Sequence, residues 1–231
     1  MIYFTSDLHL GHENIIRIAN RPFSDVEEMN ETLIKNWNNT IKQSDTVYIL
    51  GDLTMKMRVD DANKIISRLN GKKNLIRGNH DKQYCEGLFQ DICDYKELKY
   101  NKQLFILSHY PFEEWNHFFS GAIHLHGHQH NHSDYNYKMK LKGFKRYDVG
   151  VDANMYRPVS IEDVMRFDSE CNEKMTYNIG FKVDEKCDET QFDVVFQNEL
   201  MGLFGVFCEE NRFKDVKVLY IEKRGERNDR Y

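Results

Sequence analysis

Five short apolar runs in this chain share one arrangement: each is rich in β-forming residues, and each ends in a tight turn that carries a carboxylate, an amide or an imidazole. Ile2 to Ser6 leads to Asp7-Leu8-His9, Thr46 to Leu50 leads to Gly51-Asp52, and Asn74 to Arg77 leads to Gly78-Asn79-His80-Asp81. Gln103 to Leu107 leads to Ser108-His109, and Ala122 to His126 leads to Gly127-His128-Gln129-His130. Runs of this length and composition read as buried strands. In open α/β sheets, ligands gather outside the carboxyl ends of strands, which is where all of these polar groups fall.

The stretches between the first runs read as helices. Glu13 to Ala19 is one. Ser24 followed by Glu27 makes a capping box, after which Met29, Leu33, Ile34, Trp37 and Ile41 recur at helical spacing as core positions. Asp60 to Leu69 is amphipathic, with Ala62, Ile65, Ile66 and Leu69 on one side. Strand-helix alternation through Asp81 predicts an α/β core. The later strands lack long intervening helices, so they belong to a second sheet, mixed or antiparallel.

With 231 residues, 40% of them hydrophobic, the chain has enough apolar surface for one sizeable domain and excludes a disordered polymer. A balance of 32 basic and 37 acidic side chains carries no global signal for nucleic acid or membrane surface. Cys85, Cys93, Cys171, Cys187 and Cys208 form an odd set without CxxC spacing, as expected of free thiols in a reducing compartment. No basic leader precedes Ile2 and no apolar run approaches membrane-spanning length, so the expected setting is cytoplasmic, without a membrane partner.

From Tyr135 to Tyr147, Lys138, Lys140, Lys142, Lys145 and Arg146 decorate a segment with partial alternation. An edge strand protected by its lysines is the favoured reading, and a rim that attracts an anionic substrate is the other. Tyr147 to Asp152 reads as a further strand, and Arg157-Pro158-Val159-Ser160 opens a short helix through Val164. Residues 1–164 are accordingly expected to form the main domain, the one that carries the strand-end polar groups. Residues 165–231 are expected to form an appendage of unknown role: a polar, turn-rich stretch from Asp168 to Thr190, short strands at Phe192–Phe196, Gly205–Cys208 and Val216–Ile221, and a charged end from Glu222.

The densest ligand chemistry lies at five alternate histidines, His124 to His132. Side chains two apart leave a strand end in the same direction and can converge on one ion, and Asp7 and His9 share that spacing. Asp7 and His9 also suit a helix cap, and His126 with His128 is as well spaced as His128 with His130. His12 and Arg21 in the first loop could reach a phosphate or simply end a helix, so substrate contacts stay unassigned. Imidazole, carboxylate and amide groups without thiolate suit Mn²⁺ first, then Fe, Zn²⁺, Ni²⁺ or Co²⁺.

Taken in order, Asp7-Leu8-His9, Gly51-Asp52, Gly78-Asn79-His80-Asp81, His109 and Gly127-His128-Gln129-His130 resemble the DxH, GD, GNH(D/E), H and GHxH blocks of calcineurin-like metallophosphoesterases. The resemblance covers roughly the first two thirds of the chain. It implies an α/β fold of two β-sheets packed as a sandwich and flanked by helices, in four layers. Two divalent metal ions are implied, one held by Asp7, His9, Asp52 and His130, the other by Asp52, Asn79, His109 and His128, with Asp52 between them. It favours His128 and His130 over His126 as ligands, and His80 as the catalytic residue beside the scissile phosphate, with Asp81 as its orienting neighbour. The implied activity is hydrolysis of phosphate esters by a metal-bridging hydroxide, phosphodiesters before phosphomonoesters. A nuclease using the basic run as a track and a non-catalytic interaction scaffold are the alternatives.

Overall fold

The computed structural model describes residues 1–81, 84 and 87–170. Its first sheet contains β1 (Ile2–Thr5), β2 (Thr46–Ile49), β3 (Lys72–Ile76), β4 (Asp91–Cys93) and β9 (Val159–Ser160). Their order is β4-β3-β2-β1-β9, parallel except for β9. Helices α1 (Glu13–Ile18), α2 (Val26–Thr40) and α3 (Val59–Ser67) lie among the connections. The second sheet, ordered β5-β6-β7-β8, contains β5 (Tyr95–Tyr100), β6 (Gln103–Ser108), β7 (Ile123–His126) and β8 (Arg146–Asp148). It is mixed, because β5 runs antiparallel to β6 and the other pairs are parallel.

Strand periodicity decides which core each residue enters. Val47 and Ile49 join Met29, Leu33, Trp37, Ile65 and Ile66 under the helices, whereas Tyr48 and Leu50 face Phe105, Leu107 and Leu125 between the sheets. On the far side of the second sheet, Ile106 packs with Trp115 and Ala122, and the rings of Phe112 and Tyr135 lie on His124 and His126. This is an α/β fold of two mixed sheets with helices on the flanks. Among the described residues no helix is long and apolar enough to cross a membrane.

Several elements differ from their expected form. The cap of α2 is Asp25, whose side chain accepts from Glu28 N, while Glu28 reaches back to accept from Ser24 N at 2.7 Å. The box is therefore shifted by one residue from Ser24 and Glu27, because Asp25 has the extended backbone that a cap requires. Strands β4 and β5 have no counterpart in the sequence pattern; Tyr95 to Tyr100 alternates exposed and half-buried positions and is largely polar. Helix α5 (Ile161–Glu170) continues beyond Val164, with Ile161 and Val164 buried in the core between the sheets, so it runs through the boundary at 164. Cys85, Cys171, Cys187, Cys208 and the strands expected beyond 171 lie outside the described residues.

Only the end of the lysine-rich segment, Arg146 and Tyr147, enters an edge strand, β8. Tyr135–Leu141 forms α4, with Asp134 at its cap position pairing with Lys138 one turn on. Buried Asn136 explains why no strand forms there: its Nδ2 donates to Asp148 O at 3.0 Å and its Oδ1 accepts from Asp148 N at 2.7 Å. One side chain thereby supplies to β8 both bonds that a neighbouring strand residue would have made. Asn136→Ala strands the Asp148 amide, and it should lower unfolding stability by about 1–3 kcal/mol. Chemical denaturation of the two proteins checks this, a shared midpoint being the contrary result.

Candidate metal centre

The polar strand ends meet because the loops that carry them run side by side. Asp7 N donates to Gly51 O and His9 N to Asp52 O, both at 3.0 Å, and Gly127 N donates to His109 O at 3.0 Å. No side chain fits at Gly127, where a Cβ would overlap Ser6 Oγ and Asp7 Oδ2. Asp7, His9, Asp52, His128 and His130 all have φ between 50° and 73°. Left-handed conformation in five non-glycine residues of one site is strain held in place by the surrounding structure.

The result is two groups of donors: Asp7, His9 and His130, and Asp52, His109 and His128. Within each, one ligand atom per residue lies within 4.8 Å of the others. His128 and His130 therefore do not converge on one ion, contrary to the expectation from their spacing. The strand has ended before them, and their left-handed backbone turns the two rings into different groups.

Each carboxylate has one oxygen pinned and one turned inward. Asp7 Oδ2 accepts from Ser6 Oγ at 2.7 Å and His128 N at 2.8 Å, leaving Oδ1 buried without a partner. Asp52 Oδ1 accepts from His80 N at 2.8 Å, while Oδ2 lies 3.6 Å from His9 Nε2 and 3.5 Å from His109 Nε2. Asp52 Oδ2 is thus nearly equidistant from a histidine of each group.

The donor set suits cations. Both ring nitrogens of buried His9 lack a partner. His109 Nδ1 faces the Leu50 carbonyl at 2.8 Å and must donate to it, which in a neutral ring leaves a lone pair on Nε2, 3.0 Å from Asn79 Oδ1 and 3.2 Å from His128 Nδ1. A cation between His109 Nε2 and Asn79 Oδ1 satisfies both. Burial pushes His9 down to about 2, which keeps it neutral, the form that ligates metal. Burial also pushes Asp7 up to about 8, so the protein alone disfavours its carboxylate, and a divalent ion beside Oδ1 would reverse that preference.

Two residues with no assigned ligand role complete the first group. His130 Nδ1 donates to Asp152 Oδ2 at 2.8 Å, and Arg21 holds both Asp152 oxygens through Nε at 2.8 Å and Nη2 at 2.9 Å. Arg21 also donates to the carbonyls of Asp7 and Leu8, and its side chain is fully buried. It is a clamp and not a free phosphate contact. Burial works to lower the His130 pKa, but the Asp152 bond and the charges of Asp7 and Asp152 outweigh it, leaving a more basic imidazole. Asp152 sits in an ordinary Val-Asp-Ala context, and its only signal in the sequence was its place at the end of an apolar stretch.

The other candidates fall as follows. Asn79 is exposed beside His109, and the half-buried His80 ring lies 5.7 Å from that of His9. Asp81 does not orient His80: its carboxylate accepts from Gly78 N, Asp52 N and Leu53 N and from the Tyr84 hydroxyl, bracing the Asp52 turn. His12 is buried with its ring 5.5 Å from His9, and His132 and His117 are exposed. His124 and His126 lie in the core of the second sheet; His124 Nε2 accepts from Phe112 N.

The profile of calcineurin-like phosphoesterases matches residues 1–150. The chain belongs to this family. It is 42% identical over 166 residues to the uncharacterized protein MJ1445 of Methanocaldococcus jannaschii, across 71% of this chain and 89% of that one. It is 43% identical over 81 residues to the Gene 66 protein of Mycobacterium phage L5, across 34% of this chain and 39% of the phage protein. A solved structure of a protein of unknown function, AQ665 from Aquifex aeolicus, matches with TM-score 0.56 and 29% identity, over 72% of this chain and 98% of that one. The protein is therefore a metallophosphoesterase, a hydrolase of phosphoester bonds, with two buried Asp/His groups suited to a pair of metal ions.

If Asp152 sets the His130 ring, Asp152→Asn should weaken binding of one of two Mn²⁺ ions by about 10- to 100-fold, leaving the other within error. Titration calorimetry on the metal-stripped protein reads this directly, and two unchanged affinities would show that His130 needs no such support.

Proposed function

We propose that this chain hydrolyses phosphodiesters with two divalent metal ions, one held by Asp7, His9, Asp52 and His130 and the other by Asp52, Asn79, His109 and His128. The observation that carries this reading is the place of Asp52 Oδ2, 3.6 Å from a histidine of one group and 3.5 Å from a histidine of the other. A shared carboxylate holds two cations close and offsets their repulsion. When bound, the pair supplies a Lewis acid for the phosphoryl oxygens and makes water acidic enough to attack at neutral pH. Mn²⁺ is the preferred pair, on ligand type.

The chain's own groups do the rest. Asp52 is held by His80 N and by the Asp81 brace, which fixes the donor atoms before substrate arrives. To His80, whose ring lies 5.7 Å from that of His9, we assign protonation of the leaving oxygen, on the family resemblance. Diester preference rests on resemblance, and comparing bis(p-nitrophenyl) phosphate with p-nitrophenyl phosphate sorts the two ester types. A nuclease track along α4 is less favoured, because Lys138 is paired with Asp134 and Lys145 with Asp168. A scaffold role is disfavoured because every ligand position is filled. We assign the catalytic unit to residues 1–164 together with the rest of α5, and the remainder to an appendage of unknown role.

Dialysis against a chelator should abolish hydrolysis of bis(p-nitrophenyl) phosphate, and added Mn²⁺ should restore it. His80→Ala should lower turnover by about 10²- to 10⁴-fold with metal content intact. Full turnover in the stripped protein would exclude the metal mechanism, and undiminished turnover in the variant would exclude His80.

A further inference from the structure

The ring of Tyr110 stands directly against the second donor group, 4.6 Å from His128 and 5.0 Å from His109, edge to face with both. It nevertheless remains 46% exposed, one of the few large apolar side chains left open to solvent among the described residues. Packing against two imidazole rings thus leaves nearly half of the residue open beside the candidate metal centre.

The loop that presents it is held at four consecutive residues. His109 O accepts from Gly127 N at 3.0 Å, and Tyr110 O accepts from the buried Ser108 hydroxyl at 2.7 Å. Pro111 fixes the next φ. Phe112 N then donates to His124 Nε2 at 3.0 Å, and the Phe112 ring stacks on the same imidazole at 5.2 Å and 4°. This gives the buried His124 a role that metal chemistry does not: it accepts the amide that anchors the Tyr110 loop. An exposed aromatic on so rigid a mount is a preorganised surface, and preorganisation favours binding because little freedom is lost.

We infer that Tyr110 is a stacking platform that selects phosphodiesters carrying a nucleobase on the retained ester substituent, which extends from the metal pair past His128. The inference rests on the phosphodiesterase reading and names the substrate class of that site. Stacking of a base on an aromatic side chain is tolerant of base identity, so the predicted class is nucleoside esters in general and not one base.

The test uses two diesters with the same leaving group, the p-nitrophenyl ester of thymidylate and methyl p-nitrophenyl phosphate, in the Mn²⁺-loaded full chain. The wild type should prefer the nucleoside ester in kcat/KM. Tyr110→Ala should reduce that preference roughly tenfold, mainly through KM, with metal content unchanged, and Tyr110→Phe should retain it. An unchanged preference in Tyr110→Ala, an equal loss in Tyr110→Phe, or loss of metal from Tyr110→Ala would each overturn the stacking role while leaving the phosphodiesterase reading standing. Failure of the wild type on both esters would instead sink the reading beneath it.

Discussion

The site depends on one carboxylate oxygen held between two sets of imidazoles. Asp52 Oδ2 lies within 3.6 Å of His9 Nε2 and within 3.5 Å of His109 Nε2, although these residues come from different sheets. For a buried anion to stay there, its other oxygen and its backbone must be tied, which His80 N and the Asp81 carboxylate accomplish. Close approach then dictates composition. A Cβ at Gly78 would overlap Asp52 Oδ1, and one at Gly51, where φ is +89°, would overlap the His109 ring. Both glycines are needed for proximity more than for flexibility.

Strain and core are complementary here. Five donors sit in left-handed backbone conformation at a cost of order 1–3 kcal/mol each, and a loop could not hold them alone. The loops are short continuations of β1, β2 and β7, whose other residues are buried in the two apolar layers. Arg21 and Asp152 tie the rim from beneath. Their ion pair is buried at 0% and 3% exposure, and it is useful less for stability, given what burial of charge costs, than for fixing where His130 points.

Much of the fold was legible from residue pattern. The unbroken apolar run from Val47 to Leu50 follows from burial on both faces of a strand, the helical spacing of Met29, Leu33, Ile34 and Trp37 from burial on one face of a helix, and these positions are buried. The failures share a cause. Tyr135 to Leu141 looked like an edge strand because its lysines alternate, but Asn136 bonding to Asp148 decides that segment, and Asp148 is a partner from another element. Tyr95 to Tyr100 carries little apolar signal because an edge strand needs only a weak apolar face.

The same division holds at the site. The sequence by itself determined which chemistry was on offer: carboxylates, an amide and imidazoles at strand ends, with glycines beside them, are local facts of residue type. Their partition, with His128 and His130 in different groups and Asp52 between them, was implied by the family resemblance and not by spacing, and only the tertiary structure turned Asp81 from His80 toward the Asp52 turn and recruited Arg21 and Asp152 across 131 positions of chain. Spacing along a strand fixes direction only while the strand continues. Beyond its end, direction is set by φ angles and by contacts with distant residues, and neither is written in local order.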